Sequence, residues 1–409
     1  MSPLHVLLLN EYFPPDTAAT AKHAALVANA LAERHRVTVL AGRPSYDPTE
    51  RHGMYWLKRE QQGNLSVERV GSTAFSRVRM KGRLANYFSY LALSVPHALS
   101  MHPDVVLSMT DPPMEGIVAA AVARFLGRPF VYNVRDMYPD MALAGGILPP
   151  GTWSDAWEES HRKALRQAAR VVVLGEDMRE RIVEKGVDPG RVAVIRDAVP
   201  FSDIPPAIDM SVVDEIRGPF RFVIVHAGNL GFYGAWQTLV KAACMLEADG
   251  VGLVFVGEGA RKREIQEMAR NCANIRFLPF RPVSEIPSVM AAGDLQVVTI
   301  KRGLEGVVVP SKMYDILANG RPIAAVASEW TEIARLVRQH ECGIVAAPDD
   351  PNQLAESVRR IVQPVEIRDR MSAHARELAR TYDRFKELQK FVELVEEAAE
   401  NDSSGRHTQ

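Results

Sequence analysis

Gly303–Val326 reads GLEGVVVPSKMYDILANGRPIAAV, and it holds a complete helix start and stop. Pro310 precedes Ser311, a good N-cap, while Gly320 and Pro322 sit where a short helix must end. Between them Met313, Ile316 and Leu317 recur at helical spacing, so one face packs inward. Pro322–Val326 reads as a short buried strand, and Leu295–Ile300 (LQVVTI) as the strand before the unit. Strand, loop, helix, strand is the grammar of an α/β sheet. A helix that opens at Ser311 offers free N–H groups and a positive dipole end to a phosphate. Lys312 lies in that first turn, where its charge opposes the dipole, an odd place for a lysine without a bound anion. Asp315, about one turn further, is placed to accept hydrogen bonds from sugar hydroxyls. The plain alternative is that Ser311 caps, Lys312 is solvated and Asp315 favours the dipole.

Outward from this stretch, the 409 residues are 47% hydrophobic and 24% charged with a net charge of -1. That is globular composition for two or three domains, and no bulk charge argues for nucleic acid. Cys244, Cys272 and Cys342 lack metal or redox spacing and read as reduced core residues of a cytoplasmic protein. Val6–Leu9 is too short for a signal peptide, and no apolar run reaches the length of a membrane-spanning helix.

The chain opens with a buried-type strand, Leu4–Leu9, and a proline-marked loop, Asn10–Thr20 (NEYFPPDTAAT). A helix over Ala21–Arg34 and a strand at Arg36–Leu40 follow, the start of a doubly wound fold whose ligands gather at strand carboxyl ends. No G-x-G-x-x-G is present, so an NAD-type fold is not supported. Gly42–Asn64 reads as a long polar connection before a strand at Leu65–Val70. The basic residues Arg77, Arg79, Lys81 and Arg83 then lead into an apolar helix, Leu84–Leu99. That pairing suits an anionic membrane surface, or else a solvated loop before a core helix. Strands at Asp104–Ser108 and Pro129–Asn133 follow. The second runs into VRDMYPD, which puts Arg135 and Asp136 together at a strand's carboxyl end. Asp136 there can orient or deprotonate a hydroxyl acceptor, or else pair with Arg135.

Pro200, Pro205, Pro206 and Pro219 mark residues 201–218 as a linker. It separates a first α/β half, 1–200, from a second, 219–383. The second opens with Phe220–His226 running into Ala227-Gly228-Asn229-Leu230-Gly231, a strand-to-helix turn whose glycines let backbone N–H groups meet a phosphate. A last helix is expected over 384–400 and a disordered tail over 401–409. A cleft between the halves is the natural site.

These residues resemble the GT-B glycosyltransferases, and within them family 4, in its WbuB-like branch of exopolysaccharide and O-antigen enzymes. NEYFPPDTAATAKH, VRDMYPD, HAGNLG, VGEG and GVVVPSKMYDILANGRPI carry the resemblance together across nearly the whole chain. It implies two facing Rossmann-like domains. It also implies sugar transfer from a nucleoside-diphosphate sugar, a UDP-sugar for preference, to a hydroxyl acceptor in bacterial surface polysaccharide or glycoconjugate synthesis. The resemblance places the donor diphosphate at Gly228, Asn229, Gly231, Ser311 and Lys312. It places the base at the backbone around Phe280–Arg281, with Arg281 in the set, and the ribose at Asp315, the second glutamate position of an E-x7-E motif. The first falls at Val307, and Glu305 is the nearest substitute. The basic pair that many relatives carry in and after the turn is absent at Asn229 and Gly234, which puts more weight on Lys312. Asp16, Thr17, Ala18 and Ala19 would form the N-terminal loop over diphosphate and acceptor, and Asp136 with Arg135 the catalytic pair. The final helix would cross back to the N-terminal domain.

The reaction is expected to need no metal and no cofactor beyond the nucleotide sugar, to retain anomeric configuration, and to use a glycan or lipid-linked sugar acceptor. The expected location is cytoplasmic, peripheral on the inner face of the cell membrane through Arg77–Arg83 and the helix after it. Two other readings stand beside this one. A sugar-nucleotide 2-epimerase would need cleft carboxylates and histidines that the sequence does not offer. A non-catalytic nucleotide-sugar-binding subunit supporting a partner enzyme is kept open by Val307 and the missing basic pair.

Overall fold

The computed structural model describes the chain except residues 1, 46–52, 54, 76–79, 203–206 and 407–409, and the side chains of 402–406. The chain divides into two compact units. The first comprises Met1–Leu174, Arg179–Ile195 and Lys386–Gln409; the second comprises Gly175–Met178 and Arg196–Phe385.

The first unit is built on one sheet. Its strands in chain order are β1 (His5–Leu9), β2 (Arg36–Ala41), β3 (Leu57–Gln62), β4 (Leu65–Val70), β5 (Val105–Ser108), β6 (Phe130–Asn133), β7 (Arg170–Val173) and β8 (Val192–Val194). They lie in the order β3-β4-β2-β1-β5-β6-β7-β8. The pairings are parallel except β3 with β4, which is antiparallel. Parallel strands are covered on both faces, which is why β1 and β5 read as continuous apolar runs. Val6, Leu8, Val37, Val39, Val105 and Leu107 pack with Ala24, Val27, Ala28 and Leu31 of the helix Ala19–Ala32. Strand β3 was hidden in the sequence because all six of its residues (LKREQQ) are exposed, as suits a polar edge strand. It occupies part of the stretch expected to be a plain connection. The helix that follows β4 starts at Met80; Arg77 and Arg79 lie outside the described residues.

The second unit repeats the plan with β9 (Phe222–Ala227), β10 (Val251–Val256), β11 (Ile275–Leu278), β12 (Leu295–Thr299), β13 (Ile323–Val326) and β14 (Gly343–Ala346). Their order is β11-β10-β9-β12-β13-β14, all parallel. The chain runs outward from β9 through β10 and β11, then returns to the other side of β9 with β12. The order therefore reverses between β9 and β12, as it does between β1 and β5 in the first unit. Ligands in open α/β sheets bind at such switch points.

The linker expected over 201–218 differs from the structure. Met210–Arg217 is a helix, capped by Asp209, whose carboxylate accepts from Ser211 N–H at 2.9 Å. Its Val212, Val213 and Ile216 are buried against Val223, Val225, Val254 and Val256. The flanking prolines mask this helix in the sequence, because its apolar stripe of Val212, Val213 and Ile216 spans little more than one turn. The second unit also starts earlier than residue 219. Asp177 accepts from Glu332 N–H at 3.0 Å, and Arg196 pairs with Glu332 at 2.8 Å. Burial pushes the Asp177 carboxyl up to about 6.

The cysteines need correction. Cys244 and Cys272 form a disulfide, with Cα atoms 5.3 Å apart. They are 28 positions apart in the sequence and match no motif. They meet because the helix Trp236–Met245 ends beside the chain that follows the helix Lys262–Met268. Cys342 remains a buried thiol, pushed up to about 12 by burial.

The final helix runs Arg384–Arg406, so most of the tail expected to be disordered continues it. Phe391, Val392, Leu394, Val395 and Ala398 join the core of the first unit. Among the described residues, no helix is long and apolar enough to cross a membrane.

Candidate active site

In the second unit the switch point is flanked by the loop after β9 and the loop after β12. The first is Gly228–Gly231. Gly228 N–H donates to Val256 O at 2.9 Å and Leu230 N–H to Glu258 O at 2.8 Å. Those two groups are spent inside the protein, so the turn has Asn229 and Gly231 N–H to offer an anion. Gly228 thus shapes the turn. Gly257 at the end of β10 has φ +151, and a Cβ there would lie 2.0 Å from Gly228 O. A Gly257→Ala substitution is expected to cost about 1–3 kcal/mol and to weaken nucleotide binding several-fold by displacing the turn. Thermal unfolding and nucleotide titration of the variant check this; an unchanged affinity would detach the turn from the site.

The second loop ends in the helix Lys312–Ala318. Ser311 does not cap it. Its backbone is already helical and its hydroxyl makes no cap bond, because the turn begins a residue earlier, with Met313 N–H bonded to Pro310 O. Lys312 is half-buried, and its Nζ lies 2.8 Å from Nε2 of His226, the penultimate residue of β9. Burial pulls the Lys312 ammonium down to about 7. Burial and the Lys312 charge hold the His226 imidazole well below its ordinary value. Asp315 follows Lys312 by three residues, on the same side of the helix. Its carboxyl is raised by burial, with Arg384 acting in the opposite sense. A half-buried cation and a carboxyl, one turn apart beside a glycine turn, suit a phosphate and a polyol.

Two expected donor residues have other duties. Glu305 is 5% exposed, and its oxygens accept from Gly303 N–H at 2.6 Å and Ser328 Oγ at 2.5 Å. It braces the loop and presents no free carboxylate. Val307 is fully buried. The Arg281 guanidinium pairs with Glu215 and, at 3.4 Å, with Glu285. Its charge is therefore met within the second unit, which leaves the backbone beside it as the simpler contact for a base. His226 carries no signal in the sequence, since a histidine near the end of an apolar strand gains meaning only once Lys312 is placed against it.

In the first unit, the loops after β1, β5 and β6 come together. Glu11 N–H donates to Asp111 O at 2.9 Å, and Asp136 N–H to Thr110 Oγ1 at 3.3 Å. Asp136 is half-buried and Arg135 buried. Asp16 is buried and accepts from Ser45 N–H at 3.0 Å, so it ties its own loop to the one after β2. Thr17 and Ala19 are exposed and Ala18 is buried; Ala19 opens the helix. Asp140, four residues beyond Asp136, anchors the segment. It takes Arg181 at 2.7 Å and Lys185 at 2.8 Å, and Lys185 also meets Glu158 at 2.7 Å. Burial opposes ionisation of Asp140, and the two cations override it. Asp140→Ala is expected to cost about 1–3 kcal/mol, since Lys185 keeps one of its two carboxylates. The denaturation midpoint reads this, and no change would make the network ornamental.

The family models make this a glycosyltransferase, and its fold is GT-B. The description "Glycosyl transferase 4-like domain" matches residues 19–198, and "Glycosyl transferases group 1" matches 221–364. The chain belongs to glycosyltransferase family 4 and is a hexosyl- or glycosyl-transferring enzyme by family. It is 27% identical over 310 residues to the probable glycosyltransferase WbjE of Pseudomonas aeruginosa, covering 71% of this chain and 74% of the relative. It is 22% identical to the putative colanic acid biosynthesis glycosyl transferase WcaI of Escherichia coli K12, covering 95% and 99%. Anabaena HepE, solved with UDP, superposes with a TM-score of 0.69 at 17% identity, covering 97% of this chain and all of that one. WaaG, a glycosyltransferase of lipopolysaccharide biosynthesis, gives 0.61 at 17%, covering 96% and 99%. The non-catalytic alternative is not favoured by this company.

Proposed function

We propose that the protein transfers a sugar from a UDP-sugar to a hydroxyl acceptor in the synthesis of a surface polysaccharide. The observation that carries the donor site is Lys312 and Asp315 on one helix face at the β9/β12 switch point. Relatives named for colanic acid and lipopolysaccharide synthesis, and the UDP complexes of HepE, support the substrate class. As the glycosidic bond breaks, negative charge grows on the leaving diphosphate. Lys312 and the N–H groups of Asn229 and Gly231 meet that charge, and preorganised donors of this kind are worth most in the transition state. Asp315 holds the ribose. Asp136 holds the acceptor hydroxyl, with Arg135 beside it. Retention of anomeric configuration belongs to this reading and is read from the anomeric coupling of the product. Calorimetric titration with UDP, GDP, ADP and NAD is the direct test. UDP alone is expected to bind; binding of none of them would sink the reading.

A lipid-linked acceptor is supported by the helix Met80–Leu99. It buries Asn86, Tyr90, Ser94 and Ala98 and leaves Met80, Leu84 and Phe88 48%, 43% and 63% exposed. Large apolar residues four apart on the outer face, beside Lys81 and Arg83, suit a membrane interface. The protein is expected to float with anionic liposomes at low salt, and a Met80/Leu84/Phe88→Ser variant to remain in the soluble fraction. Equal flotation of both would remove this helix from membrane contact.

A further inference from the structure

Three observations join around His226. Its ring is 2% exposed, and Nε2 faces Lys312 Nζ at 2.8 Å. It packs edge-on against Trp236, with centroids 4.9 Å apart. Trp236 Nε1–H in turn donates to Gly231 O at 2.7 Å. Lys312 is therefore connected through two buried rings to the glycine turn. An ammonium can only donate, so the imidazole that faces it must be neutral, with Nε2 as acceptor. From the elements packed on it, Trp236 and Phe255 of β10 present uncharged rings, and Lys312 is the charged group that acts on it. The same indole explains why the turn has no cation of its own after Asn229. A Cβ on Gly234 would lie 2.4 Å from the Trp236 ring, so a lysine there would collide with it.

We propose that His226 is the positioning residue of the diphosphate site, accepting from Lys312 and locking it, through Trp236, to the Gly228–Gly231 turn. This rests on the donor-site reading above and deepens it. The site places one half-buried lysine by a fixed acceptor where a second cation in the turn has no room. A lysine has about 2 kcal/mol of rotamer freedom to lose, and a partner that holds it beforehand removes that cost from binding. No bond to the substrate is made by His226 itself; its effect passes through Lys312.

The test uses the full chain and UDP, titrated at several pH values from 6 to 9, with four proteins: unsubstituted, Lys312→Ala, His226→Phe and His226→Gln. Phenylalanine keeps the ring packing and removes the acceptor; glutamine keeps an acceptor. His226→Phe is expected to weaken UDP binding about tenfold, the size of one hydrogen bond to a charged group. It is also expected to move the fall in affinity to lower pH, because an ammonium without its acceptor gives up its proton more readily. His226→Gln is expected to restore most of both. Wild-type affinity and pH profile in His226→Phe, while Lys312→Ala loses binding, would overturn this proposal and leave the donor site standing. A His226→Gln protein that melts like the parent yet binds no better than the phenylalanine variant would overturn it as well. Failure of the unsubstituted chain to bind UDP would remove the donor site and this proposal together.

Discussion

Lys312→Ala is expected to reduce turnover by roughly 10²–10³-fold, the loss typical of one preorganised donor to a leaving oxyanion. UDP affinity is expected to fall with it, because the ground-state diphosphate already carries the charge that the lysine meets. The same residue sets a pH dependence whose sign follows from its burial. In the free protein the ammonium titrates near 7. A bound diphosphate stabilises the charged form, so binding takes up a proton once the pH exceeds that value. Affinity for UDP should therefore fall as pH rises from about 7 towards 9, by up to about tenfold per unit. Phosphate groups titrate near 6 and are already ionised across this window. His226 faces Lys312 as a neutral acceptor and does not reverse the sign. Calorimetry in buffers of different ionisation enthalpy counts the proton directly. A flat profile, or release of a proton, would show that Lys312 is not the group the diphosphate meets.

Asp136→Ala is expected to separate binding from transfer. A side chain that orients or deprotonates a reacting hydroxyl contributes about 10²–10⁴-fold, and the variant should lose that much transfer while UDP titrates as before. Asp136→Asn sharpens the result. If the carboxylate mainly orients the hydroxyl, the amide keeps part of the rate by hydrogen bonding; if it removes the proton, the amide is as poor as alanine. The Asp140 network makes this interpretable, since Arg181 and Lys185 still anchor the segment through Asp140 in the variant. Unchanged transfer by Asp136→Ala would strike the residue from the mechanism.

Much of the fold was legible because buried parallel strands have continuous apolar sequences, as in β1, β9 and β10. The short helix at Lys312 was legible from its spacing, although its N-terminal turn starts before the residue expected to cap it. What escaped has physical causes. Strand β3 buries nothing, so it leaves no alternation to read. The helix Met210–Arg217 hides among prolines. The partnership of Cys244 with Cys272 depends on where two helices end, which no local pattern reports. At the site, the types of residue were readable and their bookings were not. Glu305 and Gly228 stand in the loops after β12 and β9, but their hydrogen-bonding groups are already taken by Ser328, Gly303 and Val256. His226 escaped because its partner lies 86 positions away.

The helix Arg384–Arg406 has a consequence for how the protein comes into being. The ribosome makes β1 long before this helix, yet Val6, Leu8 and Val37 lie in a cluster that Phe391, Leu394, Val395 and Ala398 complete. The strand must wait with an open apolar face until the helix Arg384–Arg406 has been made. The first unit's core therefore stays incomplete throughout synthesis of the second, with the exposed apolar surface that makes nascent domains prone to aggregate. A premature stop shortly before residue 391 would leave the second unit's chain whole and the first unit's core unsealed. Damage from such a truncation would be felt at the opposite end of the sequence from the lesion.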